Sequence, residues 1–397
     1  LLFSLPLMMT QVLEVLFKVI SGLILASVAM KQGLGRPTAS AGAILGVSIG
    51  SVVSLLYMVF YKCRNYDRLS EPYSAGIHDP NDTPDDDELV DSTGTIIKNI
   101  LSIGVPIAFG ACIMAILNSI DSKLCMNRLQ SAAGFSYYEA KVLYGVYGKA
   151  QTLFNLPAAF ITPLTVAIVP AISGAIARRA HTDAKIGEDS MRISAVIGMP
   201  MGVGLTVLAD PIMNVLYPNS NEAGPGLLAV MGIASFFVCV VLMENAILQA
   251  SGKEKFTMIT MIVGGLVKIL VNWLLVAQRQ INIYGAPIGT LVSYITMTVL
   301  NFVFMCAVLD ERPHLLRIFA RPLISSLAMG ASAWAVYGLA SRFIGSGWKQ
   351  TAASMLLAVI VAVVIYVVSV VALRAVTSED MKLIPGGEKI AKLLHIR

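Results

Sequence analysis

The sequence predicts an all-α, polytopic membrane protein with about ten transmembrane helices. Three observations lead there. Charged residues make up 13% of the 397-residue chain and hydrophobic residues 56%, about half the charge that a soluble surface needs, and the mean hydropathy is +0.75. The apolar residues form runs of the length, about 20 residues, that crosses ~30 Å of hydrocarbon. The runs are continuous instead of alternating over ~10 residues, which excludes a closed β-barrel and leaves helices, whose backbone groups are bonded within the segment. The same shortage of charge excludes a soluble enzyme, a disordered chain and a nucleic-acid binder.

The expected spans are 11–30, 38–61, 96–118, 143–170, 193–216, 226–248, 256–277, 285–308, 319–340 and 352–373. The first carries Glu14 and Lys18 one helical turn apart, the spacing of a local ion pair. The third contains Pro106 and closes on Asn118 and Asp121, with Asp121 expected at the outer boundary. The fourth holds Lys149 and Gln151 near its outer end, then Pro157, Pro163 and Pro170. The fifth holds Pro200 and Pro211, and the glycines of its GVGL stretch read as helix-packing sites. Glu244 and Asn245 lie in the sixth span, Lys268 and Asn272 in the seventh. A charge at the bilayer centre costs at least ~2.5–3.5 kcal/mol, so such residues are expected to face a hydrated cavity or a partner. Proline removes a backbone donor and bends a helix, so the six prolines are expected kinks or hinges.

The connector 62–95 is the one long break. It contains Asp82, Asp85, Asp86, Asp87, Glu88 and Asp91 with three prolines, and reads as a solvated acidic linker. Placing it in the cytoplasm puts eighteen lysines and arginines in the inner connectors against eight in the outer ones, as the positive-inside rule requires. Both chain ends are then cytoplasmic. The tail 377–397 sets Ile390, Leu393 and Leu394 on one face beside Lys389 and Lys392, a pattern that fits either a short helix on the inner leaflet or a frayed end. The apolar pattern is already running at Leu1, so the sequence reads as a shortened chain.

Chemistry-bearing motifs are few. There is no nucleophile elbow, phosphate loop or dinucleotide fingerprint. The five cysteines are scattered without a CxxC pair, and His78, His181, His314 and His395 lie far apart in polar connectors. No metal site and no cofactor is expected.

Several separated segments resemble one family. MTQVLEVLFKVISGLILA (Met9 to Ala26) resembles the "SQ-x-x-E-Q-x-x-R" segment of stage V sporulation protein B-like transporters, with Thr10, Val15 and Lys18 replacing Ser, Gln and Arg. LYGVYGKAQTLFNLPAAFITPLTVAIVPAIS (Leu143 to Ser173), IGMPMGVGLTVLADPIMNVLYP (Ile197 to Pro218) and ENAILQASGKEK (Glu244 to Lys255) resemble its eighth span, ninth span and tenth-to-eleventh junction. The family belongs to the multidrug/oligosaccharidyl-lipid/polysaccharide exporter (MOP) superfamily. The resemblance implies a MATE-like two-lobe helical bundle with alternating access, MurJ-like flipping of lipid-linked sugars such as lipid II, and 14 spans, of which these ten would be the fifth to fourteenth. The chain then divides into a remnant of the N-terminal lobe (1–61), the inter-lobe linker (62–95), a C-terminal lobe of six spans (96–308), two additional spans (309–376) and the tail (377–397).

On this reading the protein is a flippase of the bacterial cytoplasmic membrane and not an enzyme. It acts as a monomer within the bilayer, takes a lipid-linked sugar diphosphate as substrate, and draws on an ion gradient or the membrane potential. Lys149, Gln151, Lys268, Asn272 and Asn118 are the expected substrate contacts, and Glu244, Asp121 and Glu14 the expected ion-coupling groups. A multidrug/cation antiporter of the same superfamily is the alternative, although the intramembrane lysines speak against a cationic cargo. A lipid-linked sugar polymerase or ligase is less favoured, because the longest outer connector, 119–142, offers Asp121 and Glu139 but no His.

Overall fold

The computed structural model of the chain describes residues 4–33, 35–64, 93–177, 183–218, 222–308, 315–345 and 347–375. Among them every regular element is helical. The chain falls into two compact units, Leu1–Val90 and Asp91–Arg397. The first holds α1 (Ser4–Lys31) and α2 (Gly35–Arg64). The second holds α3 (Thr93–Ser131), α4 (Tyr137–Phe154), α5 (Leu156–Ala177), α6 (Asp183–Val207), α7 (Ala209–Leu216), α8 (Ala223–Ala250), α9 (Glu254–Leu275), a 3-10 turn (Asn282–Tyr284), α10 (Gly285–Val308), α11 (Leu315–Ile344) and α12 (Trp348–Ala372).

Eight helices among the described residues are long and apolar enough to cross a membrane: α1, α2, α6, α8, α9, α10, α11 and α12. The other two expected spans fall on α3 and on the α4–α5 pair, and three boundaries differ from expectation. The third span does not end near residue 118, because α3 runs on to Ser131, and the outer connector shrinks to residues 132–136. The fourth is two helices that break at Asn155. Pro157 has no N–H for the Leu153 carbonyl, which accepts the Asn155 N–H instead. The fifth breaks at Leu208, because Pro211 cannot bond the carbonyl of Val207, and Pro211 sits in the first turn of α7, where a missing donor is harmless.

In the first unit, α1 and α2 approach through glycine. A Cβ on Gly46 would collide with the backbone of Gly22, and one on Gly50 would come 2.7 Å from the Glu14 carbonyl. Small residues permit such close contact where lipid supplies no hydrophobic drive between helices. In the second unit α8 is the hub, packed against α4, α5, α6, α7, α9 and α10, and is the most buried of the eight candidate spans. The α6–α8 contact repeats the glycine device. A Cβ on Gly202 would meet the Gly232 carbonyl at 2.8 Å, and one on Gly198 would meet Cys239 Cβ at 2.8 Å. Short hydroxyls bond across the seams: Ser194 to the Cys239 carbonyl at 2.9 Å, Thr206 to that of Ala229 at 3.1 Å, and Ser293 to that of Gly264 at 2.7 Å. Pro200 stays inside α6. The carbonyl its ring leaves without a donor, that of Val196, accepts the Tyr366 hydroxyl of α12 at 2.5 Å.

The acidic residues of the linker, all four histidines and the tail lie outside the described residues, as do the side chains of Pro106, Cys112 and Pro170. Among the described residues no group of three or more His, Cys, Asp or Glu is placed to hold a metal ion.

Candidate functional site

The long α3 lies along α9, and their facing residues form a polar cluster. Asn118, Asp121 and Cys125 recur at the i, i+3 and i+7 positions of α3, and Lys268 and Asn272 one turn apart on α9, so each set occupies a single face. Asp121, 3% exposed, holds Oδ2 3.1 Å from Lys268 Nζ. Lys268 also donates to Asn118 Oδ1 at 3.3 Å. The Asn272 amide donates to Asp121 Oδ1, to which the Cys125 thiol donates at 3.7 Å. Helix α10 leaves room for the amide through Gly289, where a Cβ would collide with Asn272 Oδ1. Beside it Tyr147 of α4 and Thr290 of α10 share a hydrogen bond at 3.3 Å.

The cluster is electrically self-contained. One carboxylate and one ammonium neutralise each other, with amides on the remaining valences. Both ions are largely buried, so removing one leaves an uncompensated charge, a loss of about 3–5 kcal/mol. Asn118 is exposed, so the Lys268 side of the cluster opens to the surface. Asn272 Oδ1 is buried without a hydrogen-bond donor. The arrangement offers an ammonium that can exchange one anionic oxygen for another at an open edge, with a carboxylate holding it in place when no other anion is present.

Four of the expected site residues, Asn118, Asp121, Lys268 and Asn272, therefore meet. Asp121 does not end its helix, and Lys268 is not an unpaired cation: residues assigned separate roles are each other's counter-ions. Lys149 and Gln151 are half-buried on α4, with Lys149 Nζ 5.4 Å from the centre of the Tyr217 ring. Glu244 is fully buried on α8. Glu14, on α1, pairs with Lys18 at 2.7 Å and accepts the Ser51 hydroxyl of α2 at 3.2 Å, as its i, i+4 spacing anticipated. Sequence reasoning missed Cys125, noted only as one of five scattered cysteines, and Asn301 of α10, whose amide donates to Asn245 Oδ1 at 2.9 Å. Asn301 was findable as a lone amide in an apolar run.

Comparison with known proteins fits this architecture. Residues 90–223 match the family described as "Polysaccharide biosynthesis protein". The chain is similar to an uncharacterized membrane protein, YabM, of Bacillus subtilis, at 26% identity over 99% of this chain and 71% of that one. It is similar to stage V sporulation protein B of the same organism at 23% identity over 96% of this chain and 69% of that one. Among solved structures, an inward closed lipid II flippase MurJ matches with a TM-score of 0.56 at 13% identity, covering 89% of this chain and 66% of that one. The chain thus shares the helical fold of that flippase structure and spans about two thirds of its length. The eight apolar helices and the bacterial membrane relatives place it as a multi-pass protein of the bacterial cytoplasmic membrane.

Proposed function

We propose that the chain belongs to a transporter that moves a lipid-linked sugar diphosphate across the cytoplasmic membrane by alternating access. The observation that carries this reading is the Asp121–Lys268 cluster, an ion pair buried between two helices of an apolar bundle and open at Asn118. Intramembrane charges are costly, and they mark substrate and ion paths. An anionic diphosphate arriving at the open edge competes with Asp121 for the Lys268 ammonium, and Asn118 and Asn272 supply neutral hydrogen bonds to its oxygens. The lipid tail stays in the bilayer. The match of residues 90–223 to a polysaccharide-biosynthesis family supports the sugar-carrier class, because that stretch contributes Asn118 and Asp121. Energy comes from an ion gradient or the membrane potential, worth ~2.3 kcal/mol per charge per 100 mV.

The test is reconstitution of the complete protein in liposomes, with a fluorescent lipid-linked sugar diphosphate in one arm and a cationic dye in the other. Flipping of the glycolipid without dye movement is the expected result. Dye movement without glycolipid flipping would replace this reading with a cation antiporter.

A further inference from the structure

Asp121 has a resident cation. Glu244 of α8 has none among the described residues. It is fully buried, and neither carboxyl oxygen has a hydrogen-bond partner. Its neighbours on α8, Met243, Ile247 and Leu248, belong to an apolar cluster with Ile161 and Ile168 of α5 and Met305 of α10. Facing α8 from α10, Asn301 is fully buried; its Oδ1 is also unpartnered, and its Nδ2 donates at 2.9 Å to Oδ1 of Asn245, the residue after Glu244. Among the described residues, the charged groups on the helices packed against α8 are engaged elsewhere or make no hydrogen bond to it. Helices α5 and α10 carry no charged residue. On α6, Asp189 and Arg192 pair with each other, and on α7 Asp210 accepts the Asn214 amide at 3.0 Å. On α9, Lys268 is held by Asp121, and on α4 Lys149 lies over Tyr217. Glu139, Lys141, Glu188, Glu254 and Lys255 make no hydrogen bond to the Glu244 carboxyl.

What remains is a set of buried acceptors with no donor: both Glu244 oxygens and Asn301 Oδ1. A single proton resolves it. Taken from water, it forms an O–H on one Glu244 oxygen that can donate to Asn301 Oδ1, extending a chain that Asn301 Nδ2 continues to Asn245 Oδ1. Release returns the proton to water and leaves the carboxylate. A hard metal ion would need about six oxygens, and the three here do not supply them. We propose that Glu244 and Asn301 form a proton-binding site between α8 and α10. As the coupling site of transport it rests on the function proposed above; as a proton site it does not.

Infrared difference spectra of the full chain in bilayers, between acid and alkaline pH, test the site without any substrate. A protonated-carboxyl band is expected in the unmodified protein, absent in Glu244→Gln and displaced in Asn301→Ser, which leaves the carboxyl untouched. Identical carboxyl bands in all three would overturn the proposal whether or not the protein transports. In liposomes, a pH gradient is expected to drive glycolipid movement by the unmodified protein but not by Glu244→Gln. An equal response from both would overturn the coupling role and leave the transport reading standing.

Discussion

Lys268 and Asp121 behave as one unit, and that has consequences for single substitutions. Lys268→Met leaves a buried carboxylate without its counter-ion and is expected to destabilise the protein by about 3–5 kcal/mol. Asp121→Asn in the same chain removes the stranded charge while keeping an acceptor for Asn272, so the double variant is expected to recover most of that loss. Thermal unfolding in detergent checks both, and additive losses would mean that the two side chains are not coupled. Outside the membrane, Glu139 shows a different carboxylate. The Ser136 backbone N–H at 2.9 Å and hydroxyl at 2.8 Å both donate to it, in a capping box at the start of α4. The backbone hydrogen bond, then that hydroxyl, holds its pKa below the usual glutamate value. Its contribution to the helix start is therefore present above the unfolded value of ~4.3 and lost as pH falls through the lower folded value. Hydrogen exchange at the first turn of α4 should stay protected down to that acidic range, and Ser136→Ala should abolish the protection at neutral pH as well.

At the scale of elements, prolines and glycines decide how the helices break and meet. Pro157 and Pro211 each coincide with a break, whereas Pro200 does not break α6. The difference lies in what satisfies the freed carbonyl: for Pro200 it is the Tyr366 hydroxyl from α12. Tyr366→Phe is expected to strand the Val196 carbonyl at a loss of about 1–3 kcal/mol, read as a lowered unfolding temperature. No sequence window around Pro200 contains the partner that keeps its helix intact, so this outcome was not legible locally. The apolar runs were, because 20 residues without charge have few options in lipid. The reach of α3 was not: Asn118 to Arg128 looks too polar for a span, and its polarity makes sense only once Lys268 and Asn272 are seen opposite it.

For the molecule as a whole, hydropathy made the all-helical membrane class legible, and the flippase comparison shows the same fold. The site was half legible. A buried charge announces itself in sequence, but its counter-ion, 147 positions away in the case of Asp121 and Lys268, emerges only when α3 and α9 pack. Helix burial cannot explain the retention of two buried ions, since an uncharged pair of similar volume is often equally stable or more so. The transport role proposed above gives a reason to keep them. The most direct measurement is glycolipid flipping in liposomes by the complete protein carrying Asp121→Asn with Lys268→Met. The expected result is a variant that melts like the unmodified protein and has lost most of its flipping. A variant that flips at the unmodified rate would contradict the account, because the buried charges would then have no part in transport.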